Sequence, residues 1–180
     1  MQPPNAGLYI HIPFCLKKCA YCDFYSVADL SLGEAFLDAV IHEMQLLGSL
    51  PLAFDTIYLG GGTPSVLPPR SIESLIAKTV SQFDIHSNAE ITIEVNPGTI
   101  DRECLIAYQR AGINRINISL DSLHADNFKK ITGRDAFQRV WDGIIKAHEM
   151  GFYPIKLNMV AIKGVNDDEL VDFAKLSLKY

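Results

Sequence analysis

From residue 90 to residue 121 the chain reads EITIEVNPGTIDRECLIAYQRAGINRINISLD, two strand patterns around one helix pattern. Residues 90–95 (EITIEV) and 115–119 (RINIS) alternate apolar and polar side chains with the period of two that is typical of a β-strand. Between them, Thr99 can cap a helix through Ala111, and a glycine follows its predicted end. A strand, a helix and a second strand in this order predict a β–α–β unit with parallel strands.

The same alternation extends over the whole chain and predicts five β–α units. The other strands are predicted at residues 7–12, 56–59 and 153–162. The other helices are predicted to follow the Ser31-x-x-Glu34 capping box, to span residues 69–83 with Ile72, Leu75, Ile76 and Val80 inward, to follow Asp135, and to open at Asn166. No linker or low-complexity tract divides them, so we expect one domain with a parallel sheet. Both a doubly wound sheet and a (β/α) barrel are compatible with this order.

Three successive predicted strands carry a polar face, and this favours the barrel. The polar positions are Thr92, Glu94, Asn96, Asn117, Ser119, Lys156 and Asn158, with Asp121 continuing the set of the fourth strand. Strands joined by helical crossovers normally have both faces covered, so an open sheet with this face in water fits less well. We therefore expect an α/β fold, a truncated TIM-like partial (β/α) barrel whose concave face holds a polar ligand near the carboxyl ends of the strands.

Composition excludes several classes of protein. With 180 residues, 48% of them hydrophobic and 21% charged, the chain is predicted to be globular rather than disordered. Its net charge of −5 argues against nucleic-acid binding through bulk charge. No apolar run reaches the roughly 18 residues of a membrane span, and residues 1–5 do not resemble a signal peptide. We expect a cytoplasmic protein.

Three of the four cysteines lie within eight residues, in a C-x3-C-x2-C spacing directly after the first predicted strand: Cys15, Cys19 and Cys22. A structural zinc site needs four ligands, and His11 is a poor candidate for the fourth because it lies on the predicted strand itself. Three thiolates instead suit a cubane iron–sulfur cluster with one iron that lacks a protein ligand. Zinc and unligated thiols remain as alternatives. Cys104 is predicted to be a core thiol at helical spacing.

The cysteine segment LYIHIPFCLKKCAYCDF (residues 8–24), together with GGGTP (60–64) and EVNP (94–97), resembles the radical S-adenosylmethionine (SAM) superfamily. The resemblance covers nearly the whole chain. It implies that the three clustered cysteines hold a [4Fe-4S] cluster, whose fourth iron binds the amino and carboxylate groups of SAM. Electron transfer then cleaves SAM to a 5′-deoxyadenosyl radical, which abstracts hydrogen from a substrate.

The resemblance also implies which residues contact SAM. They are Tyr9, Tyr21, Gly61, Gly62, Thr63, Glu94 and Ser119. Tyr21 is expected to pack near the adenine of SAM. The turn at residues 60–64 (the glycine turn) is expected to bind the amino group of SAM through its backbone. No catalytic residue is expected beyond the cluster and SAM.

The two halves of the chain resemble different branches of the superfamily. From Gly7 to about Gly112, LYIHIPFC, GGGTPS, ITIEVNPGT and YQRAGINRI resemble the oxygen-independent coproporphyrinogen III oxidase family, especially its haem-chaperone branch. From about Arg115, INISLDSLHADNFKKITGRD and the following text resemble the GTP cyclase of molybdenum-cofactor synthesis. Lys156 matches a cyclase lysine that contacts GTP, and an ion pair with Glu94 or Asp121 is the alternative role.

We therefore expect a radical SAM enzyme of porphyrin or haem metabolism, with the GTP cyclase activity or a non-catalytic haem- or cluster-binding module as alternatives. The expected substrate is a small molecule: porphyrinogen or haem, or else GTP. An electron donor such as flavodoxin is an expected partner. Lys17 and Lys18 lie between the clustered cysteines, in residues 15–22 (the cysteine loop), and their positive charge favours such a donor. Because both families are longer, residues 1–180 are expected to be a radical SAM core domain that is incomplete at its C-terminus, either truncated or composite. A real short homologue is the alternative.

Overall fold

Parallel strands form a single sheet in the computed structural model of the chain, which describes residues 5–48 and 50–179. The strands are β1 (Asn5–Ile12), β2 (Ala53–Gly61), β3 (Asp84–Val95), β4 (Arg115–Ser119) and β5 (Ile155–Asn158). Their order in the sheet is β1-β2-β3-β4-β5, and every neighbouring pair is parallel. Residues 1–4, on which most of the expectation of no signal peptide rests, lie outside the described residues.

Helices connect the strands. They are α1 (Gly33–Leu47), α2 (Pro69–Gln82), α3 (Arg102–Arg110), α4 (Ala125–Thr132), α5 (Phe137–Glu149) and α6 (Leu170–Lys179). Short 3-10 helices lie at Leu30–Leu32, Pro64–Val66, Pro97–Thr99 and Asp167–Glu169. Within the described ranges, no helix is both long and apolar enough to cross a bilayer.

The strand order decides between the two predicted architectures. In a doubly wound sheet the order of strands reverses at a switch point, so that helices cover both faces. Here each strand lies beside the next one in the chain, and right-handed crossovers then carry the helices to one face of the sheet. The other face is left to the polar side chains. The prediction of a partial (β/α) barrel is therefore confirmed.

The helix-side face of the sheet forms the core. Its fully buried side chains include Ile57, Leu59, Ile93, Ile116 and Ile118 from the strands and Ile72, Leu75, Leu105, Tyr108 and Val140 from the helices. Val80 of α2, predicted to face inward, is 49% exposed, so that prediction is wrong. Cys104 is half-buried and packs against the core, as predicted, and Trp141 of α5 packs against the core as well.

Strand register arranges the polar face in rows. Tyr9, Tyr58, Thr92 and Arg115 lie side by side in one row, and Glu94, Asn117 and Lys156 in another. Thr92 and Asn117 are each only 2% exposed, so this face is itself closely packed toward its middle.

Two predicted helix starts are wrong: an aspartate caps the 3-10 helix that precedes α1, and another aspartate caps α3. Ser31 does not form a capping box: its N–H and hydroxyl both donate to Asp29 Oδ1, at 3.0 and 2.6 Å, and α1 begins at Gly33. Thr99 lies in a 3-10 helix, and Asp101 instead caps α3 by accepting the Cys104 N–H at 2.9 Å.

The region between β4 and β5 also differs from its prediction. A helix that was not predicted, α4, lies between β4 and Asp135. Asp135 pairs with Lys129 at 2.7 Å rather than capping α5. The fifth strand ends at Asn158 instead of residue 162. Beyond it, the Val160 N–H donates to a side chain, Asp121, at 3.1 Å, so the backbone has left the sheet.

Candidate functional site

Most of the predicted site residues line a cavity of about 270 Å³ at the carboxyl ends of the strands. Its lining includes Cys15, Cys19, Cys22, Tyr21, Gly61, Gly62, Thr63, Glu94 and Ser119. These residues come from the loop after β1, the turn after β2 and the ends of β3 and β4. Such a position is where barrel folds place their ligands.

The cysteine loop leaves β1 through Phe14, which is 1% exposed and packs edge-on against Phe36 with ring centroids 5.3 Å apart. The loop closes on itself, because the Cys15 N–H donates to Val27 O at 3.0 Å and the Val27 N–H to Pro13 O at 2.7 Å. Cys15 is therefore held at the base of the loop, and it is buried.

The other side of the loop is attached to the end of α4. Lys17 Nζ donates to Gly133 O at 3.1 Å, and Arg134 Nη2 donates to Lys17 O at 2.7 Å. Gly133 ends α4 in the left-handed conformation, with φ of 67°. The position of the cysteine loop thus depends on residues more than 100 positions away in the chain.

The glycine turn packs directly against the start of the cysteine loop. A Cβ on Gly62 would lie 2.6 Å from Phe14 O, so only glycine fits there without movement. The N–H groups of Gly62 and Thr63 donate to Ile12 O at 2.9 Å and to Phe14 O at 2.7 Å. These donors are therefore used within the protein, and the carbonyl oxygens are the groups of the turn suited to an ammonium.

Glu94 is held at both carboxylate oxygens. Tyr58 OH donates to Oε1 at 2.7 Å, and the Gly61 N–H donates to Oε2 at 3.2 Å. Tyr58 in turn accepts a hydrogen bond of 2.6 Å from Asn117 Nδ2. Burial and the hydrogen bond to Glu94 raise the pKa of Tyr58 to about 12, so Tyr58 is a neutral hydrogen-bond donor at pH 7.

Tyr21 of the cysteine loop contacts the end of β4. Its hydroxyl donates to Asp121 Oδ2 at 2.5 Å, while Asp121 Oδ1 accepts the Val160 N–H. Burial, followed by the hydrogen bond to Asp121, raises the pKa of Tyr21 well above its ordinary value of 10. Asp121 is 4% exposed, so this buried carboxylate links three segments at the cavity.

The thiols fit a sulfur-liganded cluster. All three are free, they line the same cavity, and thiolate sulfur is the usual ligand of iron–sulfur clusters. Burial raises the pKa of the Cys19 thiol, against the opposing charge of Arg134. A metal bound there would have to displace the thiol proton, because thiolate is the ligand form. The thiols line one cavity but are not gathered around one point: among the described residues, no three His, Cys, Asp or Glu side chains are grouped as for a metal ion. Cluster binding by Cys15, Cys19 and Cys22 therefore stays a prediction.

Two predicted contacts lie outside the cavity lining. Tyr9 is 54% exposed, its hydroxyl lies 3.0 Å from His11 Nδ1, and its ring stacks on Tyr58. Lys156 is exposed on β5. Among the described residues, neither Glu94 nor Asp121 forms the alternative ion pair with Lys156; each accepts a hydrogen bond from a tyrosine hydroxyl. The roles of Tyr9 and Lys156 toward SAM and substrate stay predictions.

Two residues that line the cavity, Arg134 and Asp121, were not among the predicted site residues. Asp121 continues the polar set of β4, which could have signalled its role. Arg134 lies beyond α4 in a stretch without strand periodicity, so no local pattern could indicate that its side chain reaches the cysteine loop.

The chain is thus an α/β domain with a parallel sheet and a cavity at its carboxyl edge that three cysteines line. Residues 9–177 match the Radical SAM superfamily. The chain belongs to this superfamily, and membership implies a [4Fe-4S] cluster and SAM as its cofactors.

Two groups of relatives are similar to the chain. It is 39% identical over 181 residues to the haem chaperone HemW of Buchnera aphidicola subsp. Schizaphis graminum, covering 98% of this chain and 47% of the relative. It is 59% identical over 165 residues to the GTP 3′,8-cyclase of Listeria monocytogenes, covering 91% of this chain and 47% of the relative. The chain thus spans about half the length of the curated relatives it matches, and the prediction that it resembles both branches is confirmed.

Among solved structures, the coproporphyrinogen III oxidase HemN of Escherichia coli has a similar fold. The TM-score is 0.81 at 23% identity, over 97% of this chain and 42% of that chain. This similarity supports the partial barrel fold.

Proposed function

We propose that this domain binds a [4Fe-4S] cluster through Cys15, Cys19 and Cys22 and SAM beside it, and that it acts in porphyrin or haem metabolism. The observation that carries the proposal is that the three thiols, the glycine turn and Glu94 line one cavity. When bound, the reduced cluster supplies the electron that cleaves SAM to a 5′-deoxyadenosyl radical able to abstract hydrogen from a substrate.

The chain's own residues bind and orient SAM in this proposal. The Glu94 carboxylate and the carbonyl oxygens of Gly61 and Gly62 accept from its ammonium group. The Arg134 guanidinium suits the carboxylate of SAM, because a planar fork of donors matches a carboxylate well. Tyr21, fixed by Asp121, offers a ring for the adenine to pack against.

Cluster binding is tested by anaerobic reconstitution with iron and sulfide. The wild type is expected to become brown with broad absorbance near about 400 nm, and Cys19→Ala to lose this absorbance because one ligand is missing. Cys104→Ala is the control, since Cys104 lies on α3 away from the cavity. Uptake of one zinc and no iron by the wild type would contradict the proposal.

Radical chemistry is tested by incubation of the loaded protein with SAM and dithionite. Release of 5′-deoxyadenosine is the expected result. An intact cluster that releases none would support the second class of function, a haem- or cluster-binding module without turnover.

A second candidate substrate is GTP, supported by the 59% identity to the Listeria cyclase and by the exposed ammonium of Lys156 on the polar face. Haem and GTP are titrated separately into the wild type and Lys156→Met. Haem binding alone is expected under the proposal. GTP binding that Lys156→Met weakens, without haem binding, would favour the cyclase.

An acidic electron donor such as flavodoxin is the proposed protein partner. Lys17 and Lys18 are exposed at the cysteine loop, beside Phe24, which is 71% exposed. Lys18→Glu is expected to slow cluster reduction by reduced flavodoxin but not by dithionite, because only the protein donor needs to dock. Lys78→Glu, on α2, is the control, and equal rates for both variants would exclude this surface.

A further inference from the structure

Three side chains from three neighbouring strands form a directed hydrogen-bond chain that ends on Glu94. Asn117 of β4 donates to Tyr58 of β2 at 2.6 Å, and Tyr58 donates to Glu94 of β3 at 2.7 Å. We propose that Tyr58 and Asn117 are positioning residues, which orient the Glu94 carboxylate toward the cationic part of SAM. This inference rests on the proposed function, because it takes Glu94 to contact SAM.

The direction of the chain follows from its chemistry. A carboxylate only accepts hydrogen bonds, so the single phenol proton of Tyr58 is used on Glu94. Asn117 must then present its NH₂ group to the Tyr58 oxygen, since its carbonyl would meet another acceptor. With the Gly61 N–H on the second oxygen, both ends of the Glu94 carboxylate are fixed.

The cost of this arrangement appears at Asn117. Its side chain is 2% exposed, and its Oδ1 has no hydrogen-bond partner among the described residues. A buried polar atom without a partner destabilises the fold, because it has lost its hydrogen bonds to water. Packing alone does not explain an amide here, because an apolar side chain would avoid that cost. Donation from Nδ2 to Tyr58 does explain it.

Gly60 provides the space in which these groups meet. A Cβ at this position would lie 2.7 Å from Tyr58 Cε1, 3.0 Å from Tyr9 Cε2 and 3.1 Å from Glu94 Oε2. The absence of a side chain therefore lets the Tyr58 ring and the Glu94 carboxylate approach each other across the strand. The Tyr58 ring also stacks on Tyr9, with centroids 6.0 Å apart, and that contact does not need the hydroxyl.

Tyr58→Phe separates the hydroxyl from the ring. It keeps the stacking on Tyr9 but removes the donor to Glu94. Binding of SAM to the cluster-loaded protein is measured by equilibrium dialysis, in parallel with 5′-methylthioadenosine, which keeps the adenosine but lacks both cationic groups of SAM. We expect Tyr58→Phe to raise the Kd for SAM about 10-fold and to leave the Kd for 5′-methylthioadenosine within about twofold. Asn117→Leu is expected to shift the Kd for SAM in the same direction by about threefold.

Tyr108→Phe is the matched control. It also removes a tyrosine hydroxyl, but one in the helix-side core that has no hydrogen-bond partner among the described residues. It is expected to leave both Kd values unchanged. Tyr58→Phe added to Glu94→Gln is expected to weaken SAM binding no further than Glu94→Gln alone, because the two residues act as one unit.

Equal loss of affinity for both ligands in Tyr58→Phe, or full additivity with Glu94→Gln, would overturn the positioning role. So would an unchanged Kd for SAM in Tyr58→Phe. A wild type that holds the cluster but binds no SAM would instead overturn the proposed function, and the two failures are thereby distinguished.

Discussion

At the scale of single residues, the site depends on glycines, which have no side chain, as much as on functional groups. The first glycine of the turn leaves room for Tyr58 and Glu94, and Gly62 lets the turn approach the backbone of Phe14. The same turn carries Thr63, whose Oγ1 lies 3.5 Å from Cys15 Sγ. A shift of the backbone at Gly62 would therefore displace Thr63 and, through it, Cys15, a proposed cluster ligand.

Gly62→Ala is predicted to destabilise the fold by about 1–3 kcal/mol, because the new methyl group meets backbone atoms that cannot rotate away. Urea denaturation measures this loss, and the variant is also expected to load less cluster. Gly98→Ala is the control, since its Cβ comes no closer than 3.4 Å to a neighbouring atom. Equal unfolding midpoints for the two variants would contradict the packing argument.

At the scale of elements, a buried carboxylate joins the start of α6 to the loop after β4. Glu169 is 2% exposed and accepts hydrogen bonds from Ser122 Oγ at 2.7 Å, the Leu123 N–H at 2.5 Å and Asn127 Nδ2 at 3.0 Å. Burial acts to raise the pKa of Glu169, but these hydrogen bonds outweigh it and lower the pKa below its ordinary value of 4.5. The loop after β4 also carries Asp121, so this attachment supports the cavity.

Glu169→Gln is predicted to cost about 1.5–3 kcal/mol of unfolding free energy at pH 7, because several donors lose a charged acceptor. Since the pKa is lower in the folded state, the carboxylate stabilises the fold above about pH 4.5. That contribution is lost as the pH falls through the folded-state pKa. Urea midpoints of wild type and variant are therefore expected to converge in acid.

The control for this experiment is Glu149→Gln, which removes an exposed carboxylate from the end of α5. Its urea midpoint is expected to stay close to that of the wild type both at pH 7 and in acid. A constant difference between the wild type and Glu169→Gln across the pH range would show that the carboxylate charge is not the cause.

At the scale of the whole molecule, the sheet is unequal in strength from its centre to its edges. β2 to β4 each pair on both sides, whereas β1 and β5 form the edges. β5 has only four residues, and α6 has no buried residue in the described structure. Elements with little buried surface open with a small free energy.

Hydrogen exchange followed by mass spectrometry is predicted to show the slowest amides in β3 and β4 and much faster exchange in β5 and α6. The reason is that central ladder hydrogen bonds break only with the core, while edge elements detach locally. Exchange in α6 as slow as in β4 would contradict this ranking.

Much of this fold and site could be predicted from local patterns. Alternation over residues 90–95 and 115–119 indicates strands, because every second side chain of a strand shares one face. The spacing of Cys15, Cys19 and Cys22 indicates a shared ligand, because residues this close in the chain can lie around one group. Helix caps were harder to predict from the sequence. Thr99 and Asp101 are both residue types that cap helices, and only the backbone conformation decides which side chain accepts the hydrogen bond.

Contacts between distant residues required the folded chain. The hydrogen bond from Tyr21 to Asp121 spans 100 positions, and that from Asn117 to Tyr58 spans 59. Neither distance is encoded in a periodicity, because each depends on which strands pair and in which register. Residue patterns along the chain therefore suffice for the class of fold, the three thiol ligands and the superfamily, whereas strand order and register bring these distant partners within hydrogen-bond distance around the cavity.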